Sequence, residues 1–205
     1  MNNKIILIGG GGHCRSCVDI IEQSNSFKIA GVLDIEKKLH NKILGYEIIG
    51  TDEDLPVLVQ EFKHFFITIG QIHSSDKRVR LYNHLKELKV KLPVIVSPSA
   101  YVSKYAEVDE GTIIMHYAVV NANARIGRNC IINTKALIEH DAVIGDHCHI
   151  STGAIVNGET NVGQESFIGS NTVIREAITI GNRSIVGAGE KVMKHLPSNS
   201  IYTNK

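Results

Sequence analysis

In the second half of the chain an aliphatic residue falls on every sixth position. The series runs from Val102 and Val108 through Ile114, Val120, Ile126, Ile132, Ile138, Ile144 and Ile150 to Val186 and Val192, and its register does not slip. Four places after most of these stands a small residue: Ala106, Thr112, Ala118, Ala124, Cys130, Ala136, Ala142, Cys148, Ala154, Thr160, Ser166, Thr172 and Ser184. Ile178 and Glu190 are the departures. A hexapeptide period predicts a parallel β-helix, in which stacked repeats bury one continuous core. The aliphatic side chain fills a narrow interior, and the small residue lets the chain turn the corner. Gly127, Gly145, Gly163, Gly169 and Gly181 suit the tight turns between short strands.

The first half follows a different rule. Lys4–Ile8 reads as a strand, a glycine loop follows, and Val18, Ile20 and Ile21 then mark a helix. Further β-type runs lie at Lys28–Leu33, His64–Ile69 and Leu92–Val96, with helical patterns between them; Val79, Tyr82, Leu85 and Leu88 recur at helical spacing after a cap at Ser75. Such alternation predicts a small parallel sheet with helices, with ligands at the carboxyl ends of its strands. The expected fold class is therefore α/β plus all-β: a Rossmann-like domain over residues 1–97 and a parallel β-helix over residues 98–205. The 22 Lys and Arg residues against 21 Asp and Glu give no reason to expect a nucleic acid or an anionic membrane as partner. No apolar run approaches a membrane span and no signal peptide is apparent, so a cytoplasmic protein acting on a small molecule is expected. Cys14 and Cys17 form a C-x-x-C pair, but the segment reads better as a glycine loop entering a helix than as a redox site.

Taken together, Gly9-Gly10-Gly11-Gly12-His13 after the first strand, Leu33-Asp34 after the second, Ile69-Gly70, and Asn133 through Gly145 (N-T-K-A-L-I-E-H-D-A-V-I-G) give a chain that resembles the hexapeptide-repeat sugar acetyltransferases. With the N-terminal half included, it resembles the subgroup containing sialic-acid O-acetyltransferases and the bacillosamine-pathway N-acetyltransferase. The resemblance implies a left-handed coil of three hexads, about 18 residues, per turn. Residues so spaced should stack: Thr134, Thr152, Ser170 and Ala188 in one column, Ala122, His140, Gly158 and Glu176 in another. The missing side chain of Gly158 would then leave space beside the imidazole for a ligand, or Gly158 would serve only a turn.

The same resemblance makes the glycine loop a nucleotide-sugar site. Gly11, Gly12 and His13 would meet phosphate and sugar, Asp34, Ile35 and Gly70 would border the base, and Asn133 belongs with the substrate residues. Read alone, Gly9-x-Gly11 with Asp34 about twenty residues on suggests a dinucleotide fingerprint, but Cys14 occupies its third glycine position. The family usually has two acidic residues after the second strand, and here Ile35 follows Asp34.

Acetyl transfer needs a base to take a proton as the acceptor attacks the thioester, and an imidazole titrating near neutrality suits that task. His140 is the candidate base, and the resemblance implies that Asp141, directly after it, holds the tautomer and raises its basicity. By resemblance, His149 lies near the acetyl group, Gly158, Ser170 and Ala188 line the acetyl-CoA site, and Lys191 and Lys194 are possible partners of CoA phosphates. The family's Gly-x-Pro-Ala-Lys ending is replaced here by Ile201-Tyr202-Thr203-Asn204-Lys205. The expected activity is acetyl-CoA-dependent N-acetylation of a nucleotide-linked 4-amino-4,6-dideoxy sugar for bacterial glycan biosynthesis, by a homotrimer without a metal. Three other readings stand beside it: O-acetylation of a sialic-acid-type sugar, a zinc enzyme of the γ-carbonic anhydrase type using His147-x-His149, and a non-catalytic nucleotide-sugar-binding protein.

Overall fold

The sixth-residue aliphatics build the larger part of the molecule. In the computed structural model, which describes residues 3–203, two-residue strands recur from Ile95–Val96 to Ile201–Tyr202 and pair in parallel with the strands one turn before and after. The register shift is 18 residues: Val119 faces Leu137, Arg125 faces Val143 and Ile131 faces His149, and at the C-terminal end Ile180 with Leu196 and Ile185 with Ile201 depart from it. Three sheets of seven, six and five strands result, the faces of a left-handed prism. The first face carries Ile131–Ile132 and His149–Ile150, the second Leu137–Ile138, the third Val143–Ile144. The second residue of each pair points inward, and the column from Ile114 to Val192 is buried end to end with Ala118, Ala136, Ala142, Cys148 and Ala154 at its corners. Ile178 and Glu190, though not small, are buried there as well.

The glycines do a different job from the one the sequence implied. The left-handed corner residues are mostly not glycine: Asn123, Asn129, Lys135, Asp141, His147 and Asn171 all have φ between 53° and 60°. Gly145 is needed because the next turn passes too close, since a Cβ there would sit 2.6 Å from the Gln164 amide nitrogen.

The other part is a five-stranded sheet of β1 (Lys4–Ile8), β2 (Lys28–Leu33), β3 (Lys42–Ile43), β4 (Tyr46–Gly50) and β5 (His64–Ile67), in the order β3-β4-β2-β1-β5. β1, β2, β4 and β5 are parallel, whereas β3 turns back antiparallel on β4, a hairpin absent from the sequence reading. The run Leu92–Val96 is also not a strand of this sheet. Lys91 bridges to His64 at its edge, and Ile95–Val96 instead pairs with Ile113–Ile114 as the first rung of the coil.

Three helices, α1 (Gly12–Ser24), α2 (Leu55–Glu61) and α3 (Asp76–Glu87), complete the unit. Cys14, Cys17, Val18 and Ile21 of α1 pack with Ile5 and Leu7 on one side and with Ile95, Ile113 and Ile131 of the coil's first face on the other. Burying this shared apolar layer fixes the sheet against one face of the prism. Ser75 precedes α3 but does not cap it: its hydroxyl donates to Glu165, 90 residues away on the coil, at 2.8 Å.

Candidate active site

At the carboxyl ends of β1, β2 and β5 the chain leaves the sheet as Gly9–Gly12, Asp34 and Thr68–Gly70, and these turns open a cavity of about 860 Å³. Its far wall belongs to the coil: Asn133 and His149, with Thr134 and Thr152 from the expected column. Gly11, Gly12, His13, Asp34, Gly70, Asn133 and His149 therefore lie around one space. Ile35 lines an adjoining cavity of about 480 Å³ with Asp34, Thr51 and Asp52.

Asp34 organises the loop rather than offering a free carboxylate. One oxygen accepts from the Gly10 amide (2.9 Å) and Lys38 (2.8 Å), the other from the Ile35 amide (2.7 Å). Burial works to raise its pKa, but these donors outweigh it and hold the carboxyl below its usual range. With the Gly10 amide spent, the free donors facing the cavity are the first-turn amides of α1. Gly11 is its N-cap without a side-chain partner and no acidic residue stands in the first turn, so the helix end favours an anionic ligand.

Two imidazoles on this wall are held neutral. His149 donates from Nδ1 to the Gln71 carbonyl and accepts at Nε2 from Asn133 (3.1 Å), which sets its tautomer. Burial lowers its pKa to about 4. His13 is lowered to about 3, first by burial and then by the charge of Arg78, and its Nε2 has no partner. Thus His149, expected beside the donor, is tied into the wall of this cavity with Asn133.

His140 lies elsewhere, on the corner between the second and third faces. Its Nδ1 donates to Asp141 at 2.8 Å, and Asp141 in turn accepts from Asn123 of the turn below. The bond to Asp141, first among the causes, raises the imidazole pKa, and Glu139 and Glu159 add to the effect. The column holds: Glu159 donates its amide to the His140 carbonyl, stacking Gly158 over the histidine's turn. The space left by the absent Gly158 side chain is filled by the imidazole itself, since a Cβ there would lie 2.8 Å from Cε1 and 3.0 Å from Nε2. A separate cavity of about 490 Å³ opens here, lined by Glu139, His140, Asn157, Gly158, Glu159 and Glu176. Asp141 fixes the protonated Nδ1, so Nε2 is the lone-pair nitrogen available to a substrate.

Ser170 and Ala188 continue the Thr134 column above the first cavity, the Gly189 amide donating to the Ser170 carbonyl; the Ser170 hydroxyl pairs with Ser151 at 3.0 Å. The side chain of Lys191 is on the outer surface of the second face. His147 packs edge-on against Tyr82 and contacts Asn129 at 3.0 Å. Among the described residues no group of three or more His, Cys, Asp or Glu is placed to hold a metal ion. Both thiols of the C-x-x-C pair are buried in α1, and burial raises them away from the reactive thiolate range. The sequence does not mark Gln71 and Arg78, because their partners His147 and Asn129 come from the coil, nor Lys38, which nothing local singles out from its neighbour Lys37.

Residues 4–85 match the PglD N-terminal domain family, and residues 123–158 match the bacterial transferase hexapeptide (six repeats) family. The chain is similar to a histidine-to-asparagine mutant of perosamine N-acetyltransferase from Caulobacter crescentus, solved with CoA and GDP-perosamine: 30% identity, 95% of this chain and 90% of that one covered, TM-score 0.89. It is also similar to the acetyltransferase domain of PglB from Neisseria gonorrhoeae in complex with acetyl coenzyme A, at 30% identity over 97% of this chain and 95% of that one, TM-score 0.86. WeeI from Acinetobacter baumannii, 23% identical over 98% of this chain and 96% of that one, shares the fold with a TM-score of 0.85. No curated protein sequence matches.

Proposed function

Because the chain belongs to the hexapeptide-repeat sugar acetyltransferase family, we propose that it transfers the acetyl group of acetyl-CoA to the 4-amino group of a nucleotide-linked 4-amino-4,6-dideoxy sugar, in bacterial glycan biosynthesis. The observation that carries the reading is the His140–Asp141 pair, oriented at 2.8 Å with its free Nε2 over Gly158 and with Glu139, Glu159 and Glu176 around it. Such a ring of carboxylates suits an acceptor that arrives as an ammonium ion, and so favours an amine over the hydroxyl of a sialic-acid-type sugar. Nε2 takes a proton from the ammonium and frees its lone pair, nitrogen attacks the thioester carbon, the C–N bond forms as the C–S bond breaks, and the departing sulfur takes nitrogen's second proton, so that CoA leaves as the thiol. Asp141 stabilises the imidazolium that forms.

Residues 1–97 hold the nucleotide and residues 98–205 the reacting groups in this reading. Within one protomer, however, the second face of the prism separates the nucleotide cavity, at the corner of Asn133 and Thr134, from His140 at the next corner. The outward side of that face is a half-buried apolar stripe of Val119, Leu137, Ile155 and Val173. A threefold assembly covers the stripe and brings one protomer's His140 toward its neighbour's cavity, with acetyl-CoA between them along Gly158, Ser170 and Ala188. Both substrates are highly charged metabolites that membranes exclude, which supports a cytoplasmic reaction; among the described residues no helix is long and apolar enough to cross a membrane.

Incubation with acetyl-CoA and a panel of GDP- and UDP-linked amino and hydroxy sugars, following free thiol and product mass, tests the proposal. An acetamido product from a 4-amino sugar is expected. Acetylation of hydroxyls alone, or no thiol release from any member, refutes it.

A further inference from the structure

Behind the nucleotide cavity sits a charge that no acid in the described part of the protein answers. Arg78 of α3 is 1% exposed. Its Nη1 donates to the carbonyls of Ile67 (3.2 Å) and Ile69 (2.6 Å), and its Nη2 to the carbonyl (2.9 Å) and side-chain oxygen (2.6 Å) of Asn129. All four acceptors are neutral. Nε–H has no partner, and no ion pair to Arg78 exists among the described residues. Burial lowers its pKa only to about 10, so the group is a cation at neutrality. A buried guanidinium without a counter-ion is costly, and a protein that keeps one has a use for the field.

That field falls on the cavity. Ile69, which accepts from Arg78, leads directly into Gly70 and Gln71 on the cavity wall, where Gly70 lies beside His13 in the first turn of α1. Burial is the main cause of the lowered pKa values of His13 and His149, the two imidazoles lining this cavity, and the same charge lowers both further. A cation that disfavours positive charge on those rings favours negative charge on a ligand lying against them. The other nearby cations contribute less, because Lys38 is neutralised by Asp34 and Lys77 is exposed and screened by water.

We propose that Arg78 is a positioning residue for the acceptor's diphosphate, whose unneutralised charge, set behind the Ile69–Gly70–Gln71 edge, completes the anion site begun by the first turn of α1. The inference rests on reading the cavity as a nucleotide-sugar site. The competing role is a clamp that only ties the sheet domain to the coil through Asn129.

Calorimetry on the intact protein separates the two, with GDP and UDP as charged probes and guanosine and uridine as their uncharged counterparts. Arg78→Gln should weaken nucleoside diphosphate binding by about tenfold or more while leaving nucleoside binding unchanged, the effect of removing one low-dielectric charge several ångströms away. Arg78→Lys, which keeps the charge but cannot make the four-bond clamp, and Asn129→Ala, which removes its one side-chain acceptor, should retain diphosphate affinity, and these two decide the matter even if Arg78→Gln does not fold. In steady state, Arg78→Gln should raise the acceptor KM with little change in kcat. Equal loss of diphosphate binding in Arg78→Lys, Asn129→Ala and Arg78→Gln leaves only the clamp, and an Arg78→Gln protein that binds diphosphates normally overturns the inference outright. Wild-type protein that binds no nucleotide removes the nucleotide-site reading itself.

Discussion

Replacing Gly158 by alanine tests the proposed site by geometry alone. Gly158 has no positive φ, so the backbone accepts alanine without strain, but the new Cβ would lie 2.8 Å from His140 Cε1, 3.0 Å from Nε2 and 3.3 Å from Nδ1. Ordinary carbon contacts are near 3.6 Å, so the ring must move by about 0.8 Å or rotate away. His140 is exposed, and the movement is cheap for stability: thermal unfolding should shift by no more than about 0.5 kcal/mol. For catalysis it is expensive, because the displaced ring loses its 2.8 Å bond to Asp141. A displacement of about 1 Å at a reacting group costs on the order of 10² in rate. The assay is kcat by thiol release at saturating acetyl-CoA and acceptor, beside the melting temperature. A Gly158→Ala enzyme that is folded and turns over at the wild-type rate would refute the placement of His140 at the reacting centre.

Two further outcomes follow from the charge environment. Asp141 raises the His140 pKa, and the base must be neutral to act, so the acid limb of kcat/KM should lie above the ordinary histidine value of 6.5; Asp141→Asn should move that limb to lower pH, and a limb that stays put or moves up would be contrary. His13 and His149 are held neutral with pKa values of about 3 and about 4, while the unfolded chain takes up protons below 6.5. Stability should therefore be full above pH 6.5 and fall as pH drops, by at most about 3 kcal/mol for each ring at pH 4. Urea midpoints at pH 7 and pH 4.5 for the wild type, His13→Gln and His149→Gln measure this, and an equal acid loss in all three would contradict it.

Much of the coil was legible because its signal is local and repeats. Ile138 and Ala142 each report the same inward environment as their mates one turn away, and the 18-residue register by itself stacks Gly158 over His140. Gly11, Gly12 and Asp34 could be read because a glycine loop between a strand and a helix has a short-range signature. The rest depends on contacts across the fold. Ser75 looks like a helix cap until Glu165 claims its hydroxyl, and Leu92–Val96 looks like a sheet strand until Ile113–Ile114 pairs with its end. Arg78 sits on the buried side of an amphipathic helix whose sequence pattern marks Val79, Tyr82, Leu85 and Leu88, and its partners Ile69 and Asn129 lie 9 and 51 residues away.

The most direct measurement of the central claim is the turnover of His140→Ala with acetyl-CoA and the best nucleotide-linked 4-amino sugar. His140 points outward from the Ile138–Ala142 core, so its loss opens no cavity and the fold should be unchanged. The account predicts a fall in kcat of roughly 10² to 10⁴, the contribution of a positioned general base, with acceptor KM nearly unchanged. A His140→Ala protein that acetylates the amino sugar at close to the wild-type rate would contradict it.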